Sequence, residues 1–319
     1  MYILAFETSC DDTSVAIFED EKLLFMDTAS QIKIHNITGW VVPEVAAREH
    51  ANAIFEVLDN VLNWAKISFE NIDYIAVTKS PWLMPSLLTG LTVARTLGNI
   101  LKKEVIEINH IEAHIFANFL ERKQEDIKYP LVCLTVSWGH NEIYSIKSMF
   151  DMQKIGGTTD DSAWEAFDKV AKMMWLWYPG GPVISKLAWE YKGEWTNLFP
   201  RVWLKKDEFD FSFSGLKSAV KREVDKRWDL SLDDKKEISF EFENAVVEVL
   251  AYKLVNAAKK TWVKTVMLAW GVSANDKLID IIKKLSQKEN FKFIYPMKKL
   301  YSWDNAAMVW INAFYKIKN

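Results

Sequence analysis

The chain has 319 residues, of which 50% are hydrophobic and 26% charged, and its formal net charge is −3. This composition excludes a disordered or fibrous chain, and the slight negative charge excludes a molecule that attracts nucleic acid over its whole surface. Two cysteines, Cys10 and Cys133, give neither a disulfide framework nor a cysteine-based zinc site.

The first third reads as alternating strands and helices. Residues 2–7 and 14–18 are short apolar runs around the polar stretch Thr8-Ser9-Cys10-Asp11-Asp12-Thr13, and a third strand is predicted over 22–29. Pro43, favoured at a first helical position, opens a helix to about residue 63. A strand over 72–78, a helix over 85–101, a strand over 104–108 and a helix over 110–120 follow. The pattern then restarts with strands at 131–136 and 142–146 around a polar loop. A helix-rich insertion is expected over about 161–227. After it come a helix (235–259), a strand (263–269), a helix (275–286), a strand (291–295) and a helix (305–315). The expectation is a duplicated α/β unit, with lobes at 1–125 and 126–319, each beginning with a strand–loop–strand hairpin. No apolar run is long enough to span a membrane. The start of the chain lacks the basic-then-apolar order of a signal peptide, so none is expected, and the use of only two cysteines suits a reducing cytosol.

Four segments could carry chemistry. The loop containing Asp11 and Asp12 offers hydroxyls, N–H groups and two carboxylates, which suit phosphate and a bridging metal ion, or make a plain polar turn. His110 and His114 lie four apart on a predicted helix and project from one face, a spacing able to chelate a transition metal. Ile111 stands where a zinc-protease helix needs its glutamate, so that reading is weak. A third ligand must come from elsewhere, and Asp304 is a candidate unless it simply caps the last helix. Tyr178-Pro179-Gly180-Gly181-Pro182 and Gly271-Val272-Ser273-Ala274-Asn275 are glycine-containing turns before helices, where N–H groups can face a ligand. Lysines and arginines cluster at 205–206 and between 217 and 227, most simply as solvated faces.

Tryptophan is out of place. There are 15 Trp and only 11 Gly, so glycine is about 3% of the chain against an average of roughly 7%. Pro81-Trp82-Leu83, Ser137-Trp138-Gly139-His140 and Ala269-Trp270-Gly271-Val272 each put an indole in a turn. Turns use glycine for positive φ and close backbone approach, so these read as glycine positions.

In order along the chain stand Glu7-Thr8-Ser9-Cys10-Asp11-Asp12, His110-Ile111-Glu112-Ala113-His114, Glu165-Ala166-Phe167-Asp168-Lys169, Tyr178-Pro179-Gly180-Gly181-Pro182, Phe211-Ser212-Phe213-Ser214-Gly215-Leu216-Lys217 and Asp304-Asn305. Together they resemble the tRNA N6-adenosine threonylcarbamoyltransferase (TsaD) family, over nearly the whole chain. The resemblance implies an α/β fold like actin, Hsp70 and the sugar kinases, with two ribonuclease-H-like lobes and a nucleotide cleft. It implies transfer of a threonylcarbamoyl group from threonylcarbamoyl-AMP to N6 of adenosine 37 in tRNAs that read codons beginning with A. It further implies one Fe2+ per subunit, or Zn2+, on His110, His114 and Asp304, and an adenylate site from Thr135, Val136, Ser137, Trp138, Gly139, Asp168, Gly181 and Asn275. Asp11 and Asp12 match the acidic pair near the reacting group. A paralogous TsaB-like subunit and a TsaE-like small ATPase are the partners it implies. The histidine pair speaks against a phosphotransferase of the sugar-kinase-like class, which stays an alternative, and with the long second lobe it speaks against the family's non-catalytic subunit. If the indoles of Trp138 and Trp270 fill the adenylate loops, an inactive binding protein is the alternative.

Overall fold

The computed structural model describes residues 1–136, 139–177, 179–203, 209–271 and 275–319. Two compact units divide the chain. The first holds Met1–Gln124 and Pro296–Asn319, and the second holds Glu125–Tyr295.

In the first unit, β1 (Tyr2–Glu7), β2 (Asp12–Glu19) and β3 (Lys22–Ser30) form an antiparallel meander. Short polar connections permit that pairing, whereas parallel neighbours need a crossover helix. The helices α1 (Ile32–His35), α2 (Pro43–Ala65) and α3 (Met84–Leu101) lie in the connections to β4 (Tyr74–Ser80) and β5 (Glu104–Asn109). Both of these strands run parallel to β1, in the sheet order β3-β2-β1-β4-β5. Ile3 to Phe6 and Val15 to Ile17 are fully buried, which is why these runs read as continuous apolar stretches rather than alternating ones. β5 leads directly into α4 (His110–Phe116), whose N-cap Asn109 accepts hydrogen bonds from the N–H groups of Ile111 and Glu112.

The second unit repeats the scheme. Its strands are β6 (Leu131–Val136), β7 (Asn141–Ser148), β8 (Asp151–Gly157), β9 (Thr265–Ala269) and β10 (Lys292–Ile294). Their order, β10-β9-β6-β7-β8, is that of the first sheet with each strand number raised by five. Between β8 and β9 lie α5 (Ala163–Met173), α6 (Gly180–Glu190), α7 (Ser214–Arg227) and the 29-residue α8 (Leu232–Lys260), and α9 (Asp276–Lys288) precedes β10. The duplication read from the sequence is therefore present at the level of sheet topology. Strand β8 is not legible in the sequence, because its first residues face solvent and carry no alternating pattern.

One boundary needs correction. The final helix, α10 (Ala306–Lys318), belongs to the first unit and not to the second, where the sequence reading put it. It packs against β1, β2 and α4, and its buried Trp310 stacks on Phe18 with ring centroids 3.6 Å apart. Nothing local in residues 305–315 distinguishes which sheet such an apolar helix will cover. Among the described residues, no helix is long and apolar enough to cross a membrane.

Candidate active site

Glu7 ends β1 with a fully buried carboxylate. A buried charge needs partners, and Glu7 has them. It accepts hydrogen bonds from the Ser9 N–H (2.5 Å) and the Thr78 hydroxyl (2.5 Å). His110 Nδ1 lies 3.2 Å from the same carboxylate and 3.1 Å from Ser9 Oγ. A carboxylate only accepts, so His110 carries its proton on Nδ1 and turns Nε2 the other way. Burial pushes the Glu7 carboxyl up, but the attraction and hydrogen bond of His110 outweigh it and leave it below its ordinary value.

Nε2 of His110 lies 3.6 Å from Asp304 Oδ1, and Nε2 of His114 lies 2.9 Å from the same oxygen. The ligand atoms of the three residues are all within 4.8 Å of one another. Return of the chain to the first unit makes this possible, since 190 residues separate His114 from Asp304. Asp304 is not the helix cap. That role falls to Asn305, whose side chain accepts from the Met308 N–H. Burial lowers His114 to about 4, so its imidazole is neutral, the form that ligates metal. This donor set fits a transition metal. Two imidazoles and a carboxylate converge, and Glu7 behind His110 supplies the outer carboxylate that fixes a ligating ring.

Asp11 and Asp12 share the surroundings of this group. Burial, then the Asp304 charge, raises Asp11, and burial followed by Asp11 raises Asp12 to about 7. Asp12 Oδ1 is buried and accepts no hydrogen bond among the described residues. The loop that carries the two acids is pinned by groups the sequence reading passed over. His50, from α2, places Nε2 2.9 Å from the Cys10 carbonyl and Nδ1 2.7 Å from Thr13 Oγ1. The carbonyl fixes the tautomer, with Nε2–H donating and Nδ1 accepting from Thr13. Thr8 donates to the Ser86 carbonyl of α3, an approach that Gly90 permits, since a Cβ there would lie 2.4 Å from Thr8 Oγ1.

In the second unit, Thr135 and Val136 end β6, buried, with Thr135 paired to Ala269 of β9. Ser137 and Trp138 lie outside the described residues, as do Tyr178 and residues 272–274. Asp168 Oδ1 accepts from the Gly180 N–H at 2.6 Å, tying the start of α6 to α5. Gly180 must be glycine, because a Cβ would lie 2.8 Å from the Phe167 carbonyl oxygen. Asn275 caps α9 through its carbonyl oxygen and donates from Nδ2 to Glu243 (2.8 Å) and to Ser185 of α6 (3.2 Å). Glu243, a buried acid of α8, also accepts from the Ser185 hydroxyl and lies 3.5 Å from Lys277 Nζ. It thus joins the Gly180–Gly181 helix to the Asn275 turn. One glutamate in a long helix reads as solvated face, so only packing reveals it.

The other quoted motifs act as clasps. Asp160 accepts from Ser212 Oγ and from the N–H groups of Phe213 and Ser214 at the start of α7, and Asp161 pairs with Lys169 and Lys217. Lys221 pairs with Asp225, and Arg227 with Glu223, Asp234 and Glu237, so much of the charge on α7 is engaged locally.

The profile of the family described as TsaD, tRNA N6-adenosine threonylcarbamoyltransferase, matches residues 22–310. The chain belongs to this family. A tRNA N6-adenosine threonylcarbamoyltransferase of Persephonella marina is 44% identical over 322 residues, covering 100% of this chain and 91% of that protein. One from Syntrophomonas wolfei is 42% identical over 318 residues, covering 99% and 93%. Among solved structures, HypF of T. kodakarensis aligns over 99% of this chain and 47% of its own, with a TM-score of 0.59 and 12% identity. Full-length HypF in a phosphate- and nucleotide-bound form gives a TM-score of 0.62 at 14% identity, covering 100% of this chain and 56% of that one. At such identities the likeness speaks for fold alone, and it agrees with the α/β, actin-like fold expected for a member of the TsaD family.

Proposed function

We propose that this chain transfers the threonylcarbamoyl group of threonylcarbamoyl-AMP to N6 of adenosine 37 in tRNAs that read codons beginning with A. Family membership supports the transferase activity, and the observation that carries the site assignment is the convergence of His110, His114 and Asp304 in front of Glu7. The donor is a mixed anhydride. Adenine N6 attacks its carbonyl carbon, a C–N bond forms, the C–O bond to the phosphate breaks, and AMP departs with the electron pair. The attacking amine loses a proton, and Asp12 is the proposed acceptor with Asp11 beside it. A carboxyl raised to about 7, with a buried oxygen that accepts no hydrogen bond among the described residues, is tuned for proton transfer near neutral pH.

His110, His114 and Asp304 would hold one Fe2+, or Zn2+, per subunit. When bound, such an ion supplies Lewis acidity toward a phosphoryl or carbonyl oxygen. Thr135, Val136 and Gly139, with Asp168, Gly181 and Asn275, would bind the adenylate, and Ser137 and Trp138 belong to the same proposed set. Backbone N–H groups there would stabilise charge developing on the leaving phosphate. A TsaB-like subunit and a TsaE-like ATPase are the proposed partners, and the cytoplasm the proposed location.

The test supplies threonylcarbamoyl-AMP and a tRNA transcript to the protein with its partners, and follows the modified nucleoside in the digested tRNA. Product is expected with the parent chain and not with His110→Ala. Phosphorylation of a small molecule from ATP, with no tRNA product, would overturn the reading.

A further inference from the structure

Among the described residues, eleven that are not glycine have positive φ, and five of them are tryptophans: Trp82, Trp175, Trp228, Trp262 and Trp270. Gly39, a glycine, has one as well. Left-handed backbone suits glycine and, less well, asparagine and aspartate, while a bulky side chain there is an outlier.

Two of these sites are helix ends of one kind. After α5, the Trp175 N–H donates to the Lys172 carbonyl and the Leu176 N–H to that of Ala171. After α8, Trp262 donates to Lys259 and Val263 to Ala258. After α9, Asn290 donates to Gln287 and Phe291 to Ser286 in the same pattern. All three are Schellman ends, whose left-handed residue is usually glycine and sometimes asparagine. Asn290 fits that rule, and Trp175 and Trp262 do not. Their rings gain little from folding, being 70% and 91% exposed, and Trp228 is 87% exposed. Two further indoles sit badly for other reasons. The ring of Trp164 lies 2.3 Å from where a Cβ of Gly181 would be, so it covers the turn that opens α6. Trp310 is buried with its indole N–H lacking an acceptor among the described residues.

We infer that Trp82, Trp164, Trp175, Trp228, Trp262 and Trp270 stand at positions that the source cell fills with glycine, their codons being UGA read as glycine. Positive φ at Trp82, Trp175, Trp228, Trp262 and Trp270, strong exposure of Trp175, Trp228 and Trp262, and the close approach of Trp164 to Gly181 call for a residue without a side chain, and the chain is short of glycine and rich in tryptophan. The functional consequence rests on the adenylate reading above. Glycine at 164 uncovers the Gly181 backbone, and glycine at 270 removes an indole from the position that follows β9.

The deciding measurement is the mass of native peptides covering residues 161–177 and 261–271, together with the codons. Glycine at 164, 175, 262 and 270 with UGA codons is expected, and tryptophan there, or UGG, overturns the inference. A second experiment compares the tryptophan-containing chain with one carrying Trp82→Gly, Trp164→Gly, Trp175→Gly, Trp228→Gly, Trp262→Gly and Trp270→Gly. The glycine form should melt higher and bind AMP at least tenfold more tightly. A lower melting temperature would count against the inference. Glycine in the peptides with unchanged AMP affinity would uphold it and overturn the adenylate role of these turns instead.

Discussion

The two units share one strand order but equip the ends of their parallel strands differently. Past β1 and β5 the first unit gathers Glu7, Asp11, Asp12, His110 and His114, with Asp304 joining from outside the sheet. In the second unit the corresponding groups are mainly backbone and amide: Gly139 after β6, Gly180 and Gly181 at the start of α6, and Asn275 at the start of α9, with Glu243 bonded to Ser185 of α6 and to Asn275. On the proposed function, a duplicated scaffold separates charge chemistry from ligand holding. The strands tolerate this because function resides in the loops they present.

On that division, variants of the first unit lower turnover and leave AMP binding intact, while variants of the second do the reverse. The largest effect is expected from His114→Ala or Asp304→Ala. Either should abolish measurable transfer and metal content while AMP affinity, read by calorimetry, stays within twofold or so. Loss of AMP binding in both would break the comparison. Next comes Asp12→Asn, which should slow transfer by roughly 10²–10⁴-fold with metal retained. Full activity would remove Asp12 from the proton path. Glu7→Gln should weaken metal affinity by roughly 10–100-fold, as loss of an outer carboxylate does elsewhere. In the second unit, Glu243→Ala should raise the KM for threonylcarbamoyl-AMP about tenfold with kcat nearly unchanged, and cost about 1–3 kcal/mol of stability from unpaired buried groups. Glu243→Gln keeps an acceptor for Asn275 and should recover most of the KM. A fall in kcat alone would place Glu243 on the wrong side of the division.

The smallest effect concerns pH. Burial lowers His50 below its ordinary value of 6.5. The unfolded chain therefore takes up the proton first, so the stability held by neutral His50 is complete above pH 6.5 and is lost as pH falls below it. The melting temperature should drop between about pH 7 and pH 5, and less so in His50→Gln. Equal slopes would show that His50 does not hold the acidic loop.

Strand and helix order was legible because apolar periodicity is local. The hairpin starts, the proline that opens α2 and the spacing of His110 and His114 all lie within short windows. Asp304 was legible only as one of two roles, and the choice required knowing that Asn305 takes the cap. Glu243 and His50 were invisible for a different reason. Each is an ordinary residue of an amphipathic helix until another segment, 32 residues away for Asn275 and 40 for Cys10, packs against it. The sheet that α10 covers was misjudged because apolar spacing states that a helix is buried, not where.

The discontinuity of the first unit has a consequence in time. A ribosome makes residues 125–295 before it makes Asp304 and α10. At about 5–20 residues per second, the second unit has many seconds to form while the first still lacks a helix from its sheet. His110 and His114 wait through that interval without their carboxylate. A chain cut short between residues 115 and 303 would carry both histidines yet lack Asp304, so closure of the proposed metal group reports that synthesis has reached the last helix.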